Sequence, residues 1–475
     1  MNDLSQPDVA GAPRNVFAEL TGQQGDDFER YLMELQKCMR CGQCRTNCPV
    51  FRFDCGETDV ARGKLALLSH YLRPEAQPDR ELYGRLTRCV NCGRCRLECP
   101  SGTDTGYALL EGRARLLEKV GMPPVKSLAV RGAFAHYGRL RAAARAFRLV
   151  QPLAFRPRAA DPRHLRSVWK LPILGQRVLL PRLRGPARTG VIEPPDGREV
   201  VGSVIIYPGC LVDLGYPELL EATLKVVGAL GFRAIVPTGL VCCGAPAVYS
   251  GDSATGRRLA VENLKLLLPH LREGADRLLF LCPSCSVAFK HDYPEYLFGK
   301  MAGSAAALAA SGLSQADIQL VAEMADDASR WAWERGAREC LAAGAVDSVT
   351  YHDPCHLRRL MAVVEEPRAI LRHLAGDGYA EAPNPDSCCG FGGTFALEHV
   401  GASGAMLEQR CHELASTEAE LVATACPGCL AWLANGLDRI GSRQRPVHLI
   451  ELMASAVPAE GSANHESRAR QGAVV

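Results

Sequence analysis

Two periodicities divide this chain. Near the N-terminus apolar residues recur every three or four positions. Leu65, Leu68 and Leu72 form such a row, beginning within Arg62-Gly63-Lys64-Leu65-Ala66-Leu67-Leu68, and predict a helix with a buried leucine face. A second helix is predicted over 105–120, stopped by Gly121-Met122-Pro123-Pro124. Residues 1–30 read as a poorly ordered lead-in that ends in a helix. Beyond residue 200 short β-rich runs take over: Val204-Ile205-Ile206-Tyr207, Leu278-Leu279-Phe280-Leu281, Val349-Thr350-Tyr351-His352 and Leu421-Val422-Ala423-Thr424-Ala425. Helical stretches such as 218–230 and 255–268 lie between them. That alternation predicts parallel α/β sheets with sites at the carboxyl ends of the strands. An Ala-rich helical stretch, 301–345, joins two similar halves.

The halves are one unit used twice. Cys210 follows the first strand and, after 31 residues, comes Cys242-Cys243-Gly244; Cys355 follows the third and, after 32, comes Cys388-Cys389-Gly390. Cys282-Pro283-Ser284-Cys285 and Cys426-Pro427-Gly428-Cys429 complete the two sets, so five cysteines recur at offsets of 144 to 146 residues. Adjacent cysteines diverge too much to share one tetrahedral zinc but suit two irons of one cluster. Gly244 and Gly390 would admit a bulky inorganic core where a Cβ would clash. A zinc site using four of the five thiols is the competing expectation.

The N-terminal part carries a different repeat. Cys38-x2-Cys41-x2-Cys44-x3-Cys48-Pro49 recurs as Cys89-x2-Cys92-x2-Cys95-x3-Cys99-Pro100. This run wraps a cubane [4Fe–4S] cluster, and in two-cluster proteins the fourth cysteine of each run serves the other cluster. The expected ligand sets are therefore Cys38, Cys41, Cys44 and Cys99 for one cluster, and Cys89, Cys92, Cys95 and Cys48 for the other. The 40 residues between Cys48 and Cys89 are too many for a tight hairpin, so helices are expected to pack around the clusters. Loop N–H groups near Gly42, Gly93, Gly392 and Gly393 are candidate donors to sulfur. His352 and His356 flank Cys355 and are expected as hydrogen-bond donors, with ligation to iron the rarer role. Cys55, Cys340 and Cys411 fall outside both patterns and read as packed thiols.

Composition narrows the function classes. The chain has 475 residues, 21 of them cysteine, and a net charge of +3. An odd cysteine count in so long a chain argues against a secreted disulfide scaffold. No signal-peptide pattern is visible at Met1-Asn2-Asp3-Leu4 and no bilayer-length apolar stretch occurs, so a cytoplasmic protein is expected, held at the inner face of a membrane through a partner if at all. Residues 121–200 carry 16 Lys and Arg against 4 Asp and Glu, a local excess of +12. Arg139, Arg141, Arg145, Arg148, Arg156 and Arg158 belong to this stretch, which reads as a solvated or partner-facing connector, with anionic lipid head groups as further targets. No nucleic-acid-binding fold accompanies it. No Gly-x-Gly-x-x-Gly follows a strand, so nicotinamide or flavin must come with another subunit.

With these motifs in view, the sequence resembles the CCG-domain iron–sulfur family, which includes the glycolate oxidase iron–sulfur subunit and the D subunit of heterodisulfide reductase. The segments Glu57-Thr58-Asp59-Val60-Ala61-Arg62-Gly63-Lys64, Cys99-Pro100-Ser101-Gly102 and Tyr351-His352-Asp353-Pro354-Cys355-His356-Leu357 look like the glycolate oxidase subunit. Cys388-Cys389-Gly390-Phe391-Gly392-Gly393-Thr394-Phe395 resembles a lactate-utilisation protein. Retention of both Cys282 and Cys426 departs from the glycolate oxidase pattern and is similar to heterodisulfide reductase, whose complete motifs bind noncubane clusters. The resemblance implies an α-helical ferredoxin domain followed by two repeated α/β cysteine-rich (CCG) domains. Expected bounds are 1–120 for the two-cluster domain, 121–200 for the connector, 201–300 and 348–455 for the CCG domains, 301–347 for a helical linker and 456–475 for a flexible tail. It implies two [4Fe–4S] clusters, and up to two more, cubane or noncubane, or zinc, in the CCG domains. It implies electron transfer between a flavoprotein dehydrogenase partner acting on a 2-hydroxy acid and a quinone-linked or membrane partner. The alternatives are a disulfide reductase working at noncubane clusters and a zinc-holding assembly module.

Overall fold

The computed structural model describes residues 26–73, 76–157, 161–170, 178–195 and 198–458. The N-terminal lead-in up to residue 25 and the tail from 459 lie outside the described residues, as does Arg158.

The first unit is helical. Helices Asp26–Gln36, Ala61–Tyr71, Arg80–Thr87 and Thr105–Val120 enclose the cysteine runs. Leu65 and Leu68 are buried, as their spacing predicts, and Leu72 caps that helix at its C-terminal end. Tyr31 meets Tyr107 edge-on at 6.4 Å and anchors the first helix to the last. Each cysteine run contains its own short helix, Gln43–Asn47 and Arg94–Leu97, so the two runs have the same local shape.

The segment 121–200 carries more structure than a solvated connector. Its helix Tyr137–Ala154 leads into a small antiparallel sheet of β1 (Phe155–Pro157), β2 (His164–Ser167) and β3 (Leu179–Pro181), in the order β1-β2-β3. The basic stretch is held to the body at chosen points: buried His164 bridges Asp161 and Tyr216, and Arg163 pairs with Glu451 at 2.6 Å. β4 (Gly190–Ile192) then joins the next sheet.

The two C-terminal units share one topology. The first holds β5 (Gly202–Tyr207), β6 (Phe232–Val236), β7 (Arg277–Phe280) and β8 (Ala325–Asp327), in the order β4-β6-β5-β7-β8. The second holds β9 (Val349–Tyr351), β10 (Tyr379–Ala380), β11 (Leu421–Thr424) and β12 (Arg445–His448), in the order β10-β9-β11-β12. All pairings are parallel except β4 with β6. The expectation of a purely helical linker needs one correction. That stretch holds β8, the edge strand of the five-stranded first sheet, which matches β12 of the second. A strand of three residues inside Ala-rich helices leaves no alternating pattern to read. Side chains of both sheets, among them Val204, Ile206 and Leu279 with Val349, Tyr351, Ala423 and Val447, meet in one hydrophobic core. The cysteine-bearing ends of the two sheets are thereby fixed relative to each other.

Candidate metal centres

The cysteines gather where the sequence places them, with all 21 thiols free. Cys38, Cys41, Cys44 and Cys99 line one cavity, which Cys95 also reaches. Cys48, Cys89, Cys92 and Cys95 line a second, which Cys44 also reaches. Each triplet thus meets the trailing cysteine of the other run. Cys41 is exposed and Cys92 is buried, so the first cavity faces solvent and the second lies deeper. Cys55 is exposed and lines neither cavity.

Buried cations that sequence reasoning missed surround the second cavity. Lys64 is buried and donates to the carbonyls of Asp59 at 2.6 Å and Arg88 at 2.7 Å, beside Cys48 and Cys89. Fully buried Arg113 donates to Asn91 Oδ1 at 2.8 Å and to Tyr249 O at 2.9 Å. Burial raises the Cys89 thiol, but Lys64 and Arg113 outweigh it and leave Cys89 below its ordinary value. Cys48 and Cys92 lack that net help, and burial pushes each up to about 11. A buried thiolate set needs such positive charge, because uncompensated anions are costly to bury.

In the α/β units every cysteine of the repeated pattern lies beyond the carboxyl end of a strand: Cys210 after β5, Cys242 and Cys243 after β6, Cys282 and Cys285 after β7, whereas Cys411 is buried within the helix Val400–Ala415. Cys355, Cys388, Cys389, Cys426 and Cys429 repeat the arrangement after β9, β10 and β11. Cys389 Sγ lies 3.4 Å from Cys429 Sγ. The thiols of Cys210, Cys242, Cys243, Cys285 and Cys282 follow one another in series, each shifting its neighbour's ionisation, and Cys426, Cys429, Cys389, Cys388 and Cys355 form another series. Cys282 and Cys426 join the two series, so ten thiols form one continuous array. Hydrogen bonds from their sulfur neighbours hold Cys243, Cys282 and Cys389 well below the usual thiol range. Two cysteine-lined cavities and an array of ten neighbouring thiols suit soft thiophilic metal, iron–sulfur clusters above all.

Gly244 and Gly390 have the left-handed φ of +82° and +81°. A Cβ on Gly244 would meet Gly256 Cα at 3.3 Å, and one on Gly390 would meet Ser403 O at 2.6 Å. The glycines therefore admit the backbones of the helices Ser253–Arg272 and Val400–Ala415, a different close approach from the one expected. Donors to sulfur are likewise neighbours of the expected glycines: Asn91 N to Cys89 at 3.4 Å and Gly390 N to Cys388 at 3.3 Å, with Arg94 N serving Cys92 and Phe391 N serving Cys389.

The two histidines differ. His356 has both ring nitrogens engaged, Nδ1 with Ser284 Oγ at 3.0 Å and Nε2 with Asn91 O at 2.9 Å. One imidazole thus ties together the Cys89–Cys92 loop, the Cys282–Cys285 loop and the residue after Cys355. His352 receives a hydrogen bond at Nδ1 from Arg410 Nε, 3.1 Å away, and its Nε2 is buried without a partner. One nitrogen of His352 lies with Cys389 Sγ and Cys429 Sγ inside 4.8 Å. Because Nδ1 accepts, the neutral ring carries its proton on Nε2. Burial and Arg410 push His352 down to about 3, so it stays neutral. Arg359 lies beside Cys92, Cys355 and Cys388, held by the Asp386 carbonyl at 3.0 Å. It marks the seam between the second ferredoxin cavity and the second α/β site.

An α-helical unit with paired four-cysteine cavities, joined to two cysteine-rich α/β units, defines an iron–sulfur protein. Comparisons agree. Residues 34–103 match a 4Fe-4S dicluster domain, and residues 204–290 and 349–434 each match the cysteine-rich domain called CCG. The chain is similar to a probable glycolate oxidase iron-sulfur subunit of Bacillus subtilis, 29% identical over 89% of this chain and 94% of that one. It is similar to the D subunit of the dihydromethanophenazine:CoB--CoM heterodisulfide reductase of Methanosarcina barkeri, 27% identical over 90% and 95%. It is 31% identical to lactate utilization protein A of Bacillus velezensis, over 53% of this chain and 99% of that one. The chain belongs to the family of CCG-domain iron–sulfur proteins, in which a 4Fe-4S dicluster domain precedes two cysteine-rich domains.

Proposed function

We propose that this protein is the iron–sulfur electron-transfer subunit of an oxidoreductase complex, relaying electrons between a flavoprotein that oxidises a 2-hydroxy acid such as glycolate or lactate and a quinone or other carrier. Each [4Fe–4S] cluster, when bound, takes up or releases one electron at a time. In this proposal Cys38, Cys41, Cys44 and Cys99 hold one cluster, and Cys89, Cys92, Cys95 and Cys48 the other. The five-cysteine sets of the CCG units hold up to two more. The carrying observation is the order of the thiol sets through the molecule. Exposed Cys41 belongs to the outer cavity, Cys92 of the inner cavity adjoins Cys355 and Cys388, and Cys426 adjoins Cys282. The chain's own part is to hold these sets in fixed sequence, exclude water from the inner ones and supply positive charge through Lys64, Arg113 and Arg359. A flavoprotein partner on the cytoplasmic side fits the lack of any dinucleotide fingerprint in the sequence.

Stopped-flow reduction of the anaerobic protein by its flavoprotein partner tests the proposal. The expected result is bleaching of the iron–sulfur absorption within turnover time. Bleaching slower than turnover would exclude the relay role.

A second function, disulfide reduction, is favoured by one observation: both Cys-x2-Cys pairs are complete and abut at Cys282 and Cys426. Buried Asp292, which burial raises to about 7 against the hydrogen bond from Tyr249, could hold a proton at its carboxylate for such a reaction. Electron paramagnetic resonance with added thiol separates the two. A changed CCG signal supports direct sulfur chemistry, and an unchanged one supports relay.

A further inference from the structure

The 18-residue helix Tyr137–Ala154 touches the body along one face only. Tyr137 and Gln151 are its buried residues. Tyr137 OH donates to Asp213 at 2.7 Å, Arg141 Nε pairs with the same carboxylate at 2.9 Å, and Gln151 donates to Pro181 O at 3.1 Å. The helical period sets Ala142, Ala146, Leu149 and Leu153 in one stripe that points away from this face. Leu149 is 75% exposed, Leu153 74% and Val150 48%. Val168 N donates to Ala154 O at 2.9 Å, which brings Trp169, 65% exposed, to the same end. An apolar stripe turned outward needs a cover.

Charge indicates which cover. The helix contains Arg139, Arg141, Arg145 and Arg148 and no acidic residue. Arg141 is committed to Asp213, whereas Arg139, Arg145 and Arg148 are exposed, with Arg139 and Arg145 flanking the stripe on either side. Apolar side chains on the outer face, arginines beside them and a tryptophan at the end form the pattern of a helix lying in a lipid interface. No helix among the described residues is long and apolar enough to cross a membrane.

We infer that this helix docks the protein on an anionic lipid surface, with Leu149, Val150, Leu153 and Trp169 in the acyl boundary and Arg139, Arg145 and Arg148 on lipid phosphates. Asp213 stands three residues after Cys210, so the opposite, body-facing side of the docked helix is tied to the first CCG site. The inference stands apart from the cluster assignments, because it uses none of the cysteines.

The test is co-sedimentation of the full-length, anaerobically purified protein with phosphatidylcholine vesicles, with and without phosphatidylglycerol, at low and high salt. The protein is expected to sediment with the anionic vesicles only, more weakly at high salt. Leu149→Asp with Leu153→Asp, and Arg145→Glu with Arg148→Glu, should each weaken binding by about tenfold or more. All four side chains are solvent-facing, and an unchanged visible spectrum and circular dichroism would verify that the variants fold. Tryptophan fluorescence should shift to the blue on binding, and Trp169→Phe should abolish the shift. Failure of the unmodified protein to sediment, or sedimentation unaffected by both double variants, overturns the inference. So does a concentration-dependent dimer that Leu149→Asp with Leu153→Asp abolishes, because a second copy would then be the cover.

Discussion

The two CCG units share strand order, cysteine offsets and the paired left-handed glycines, yet differ at three matched places beside the thiols. Tyr207 of the first unit corresponds to His352 of the second. Tyr207 packs against Phe280 at 5.3 Å and Phe289 at 5.0 Å and spends its hydroxyl on Val241 O, so it ends in the backbone. His352 instead keeps a buried Nε2 without a partner, with one ring nitrogen within 4.8 Å of Cys389 Sγ and Cys429 Sγ. Asn263 corresponds to Arg410. Asn263 is neutral and pins the first cysteine-pair loop by accepting from Val241 N at 3.0 Å and donating to Cys242 O at 3.1 Å. Arg410 is charged, fully buried and bound to Pro383 O, Glu413 and His352. Asp292 corresponds to Gly436, so only the first unit keeps a buried carboxyl in that helix. One scaffold thus provides a first site with a group able to hold a proton and a second site with a buried neutral imidazole and more positive charge. The second site also adjoins the ferredoxin cavity through Cys92 and Arg359. Positive charge and N–H donors near sulfur raise a cluster's potential, so the second unit is expected to be the easier to reduce.

The largest expected effect comes from removing a cysteine. Cys389→Ser should cost the second unit its whole signal and about four iron per chain, with both ferredoxin signals intact. Cys243→Ser should do the same for the first unit. Loss of both CCG signals in either variant would show that the array joined at Cys282 and Cys426 is assembled as one site, and would erase the distinction between the units.

Next comes Asp292. Its folded value, raised to about 7 from 3.8, means that the folded protein retains a proton there that the unfolded chain releases. Stability should therefore fall as pH rises from about 4 to about 7 and stay level above. Asp292→Asn should abolish that fall and gain about 2–4 kcal/mol at pH 8. Anaerobic chemical denaturation across this range checks it, and parallel pH profiles for the variant and the parent would contradict it.

His356→Ala should cost about 1–3 kcal/mol, since it strands Asn91 O and Ser284 Oγ in a buried junction. It should also slow electron exchange between the ferredoxin unit and both CCG units. The smallest effect is expected at His352. His352→Leu should lower the midpoint potential of the second CCG site by about tens of millivolts and leave the first unmoved. His352→Gln, which keeps an N–H, should restore part of the shift. Equal shifts at both sites would remove the asymmetry.

What could be read from the sequence follows from distance along the chain. The cysteine runs, the repeat and its strands are local, and 105–120 is helical as its spacing and the following glycine and prolines predict. Cys41 and Cys99 fall in one cavity although 58 positions separate them, and only the duplicated spacing signals that. Lys64, Arg113 and Arg359 carry no such signal. Lys64 lies in a run that looks like a surface helix, and burial beside Cys48 and Cys89 is decided by tertiary packing. His356 is visible as a residue next to Cys355, but its bonds reach Ser284 and Asn91, 72 and 265 residues away. The strand β8 escapes because three residues cannot display a period. The helix Tyr137–Ala154 escapes because arginines and prolines in its neighbourhood mimic a connector.

The most direct test of iron–sulfur wiring in this protein is Mössbauer spectroscopy with acid-labile sulfide analysis on material purified without oxygen. Iron and sulfide are expected in equal amounts, about eight of each from the ferredoxin unit and further iron from the CCG units that Cys243→Ser and Cys389→Ser remove separately. Protein that holds zinc and no sulfide while still passing electrons from its flavoprotein partner would contradict it.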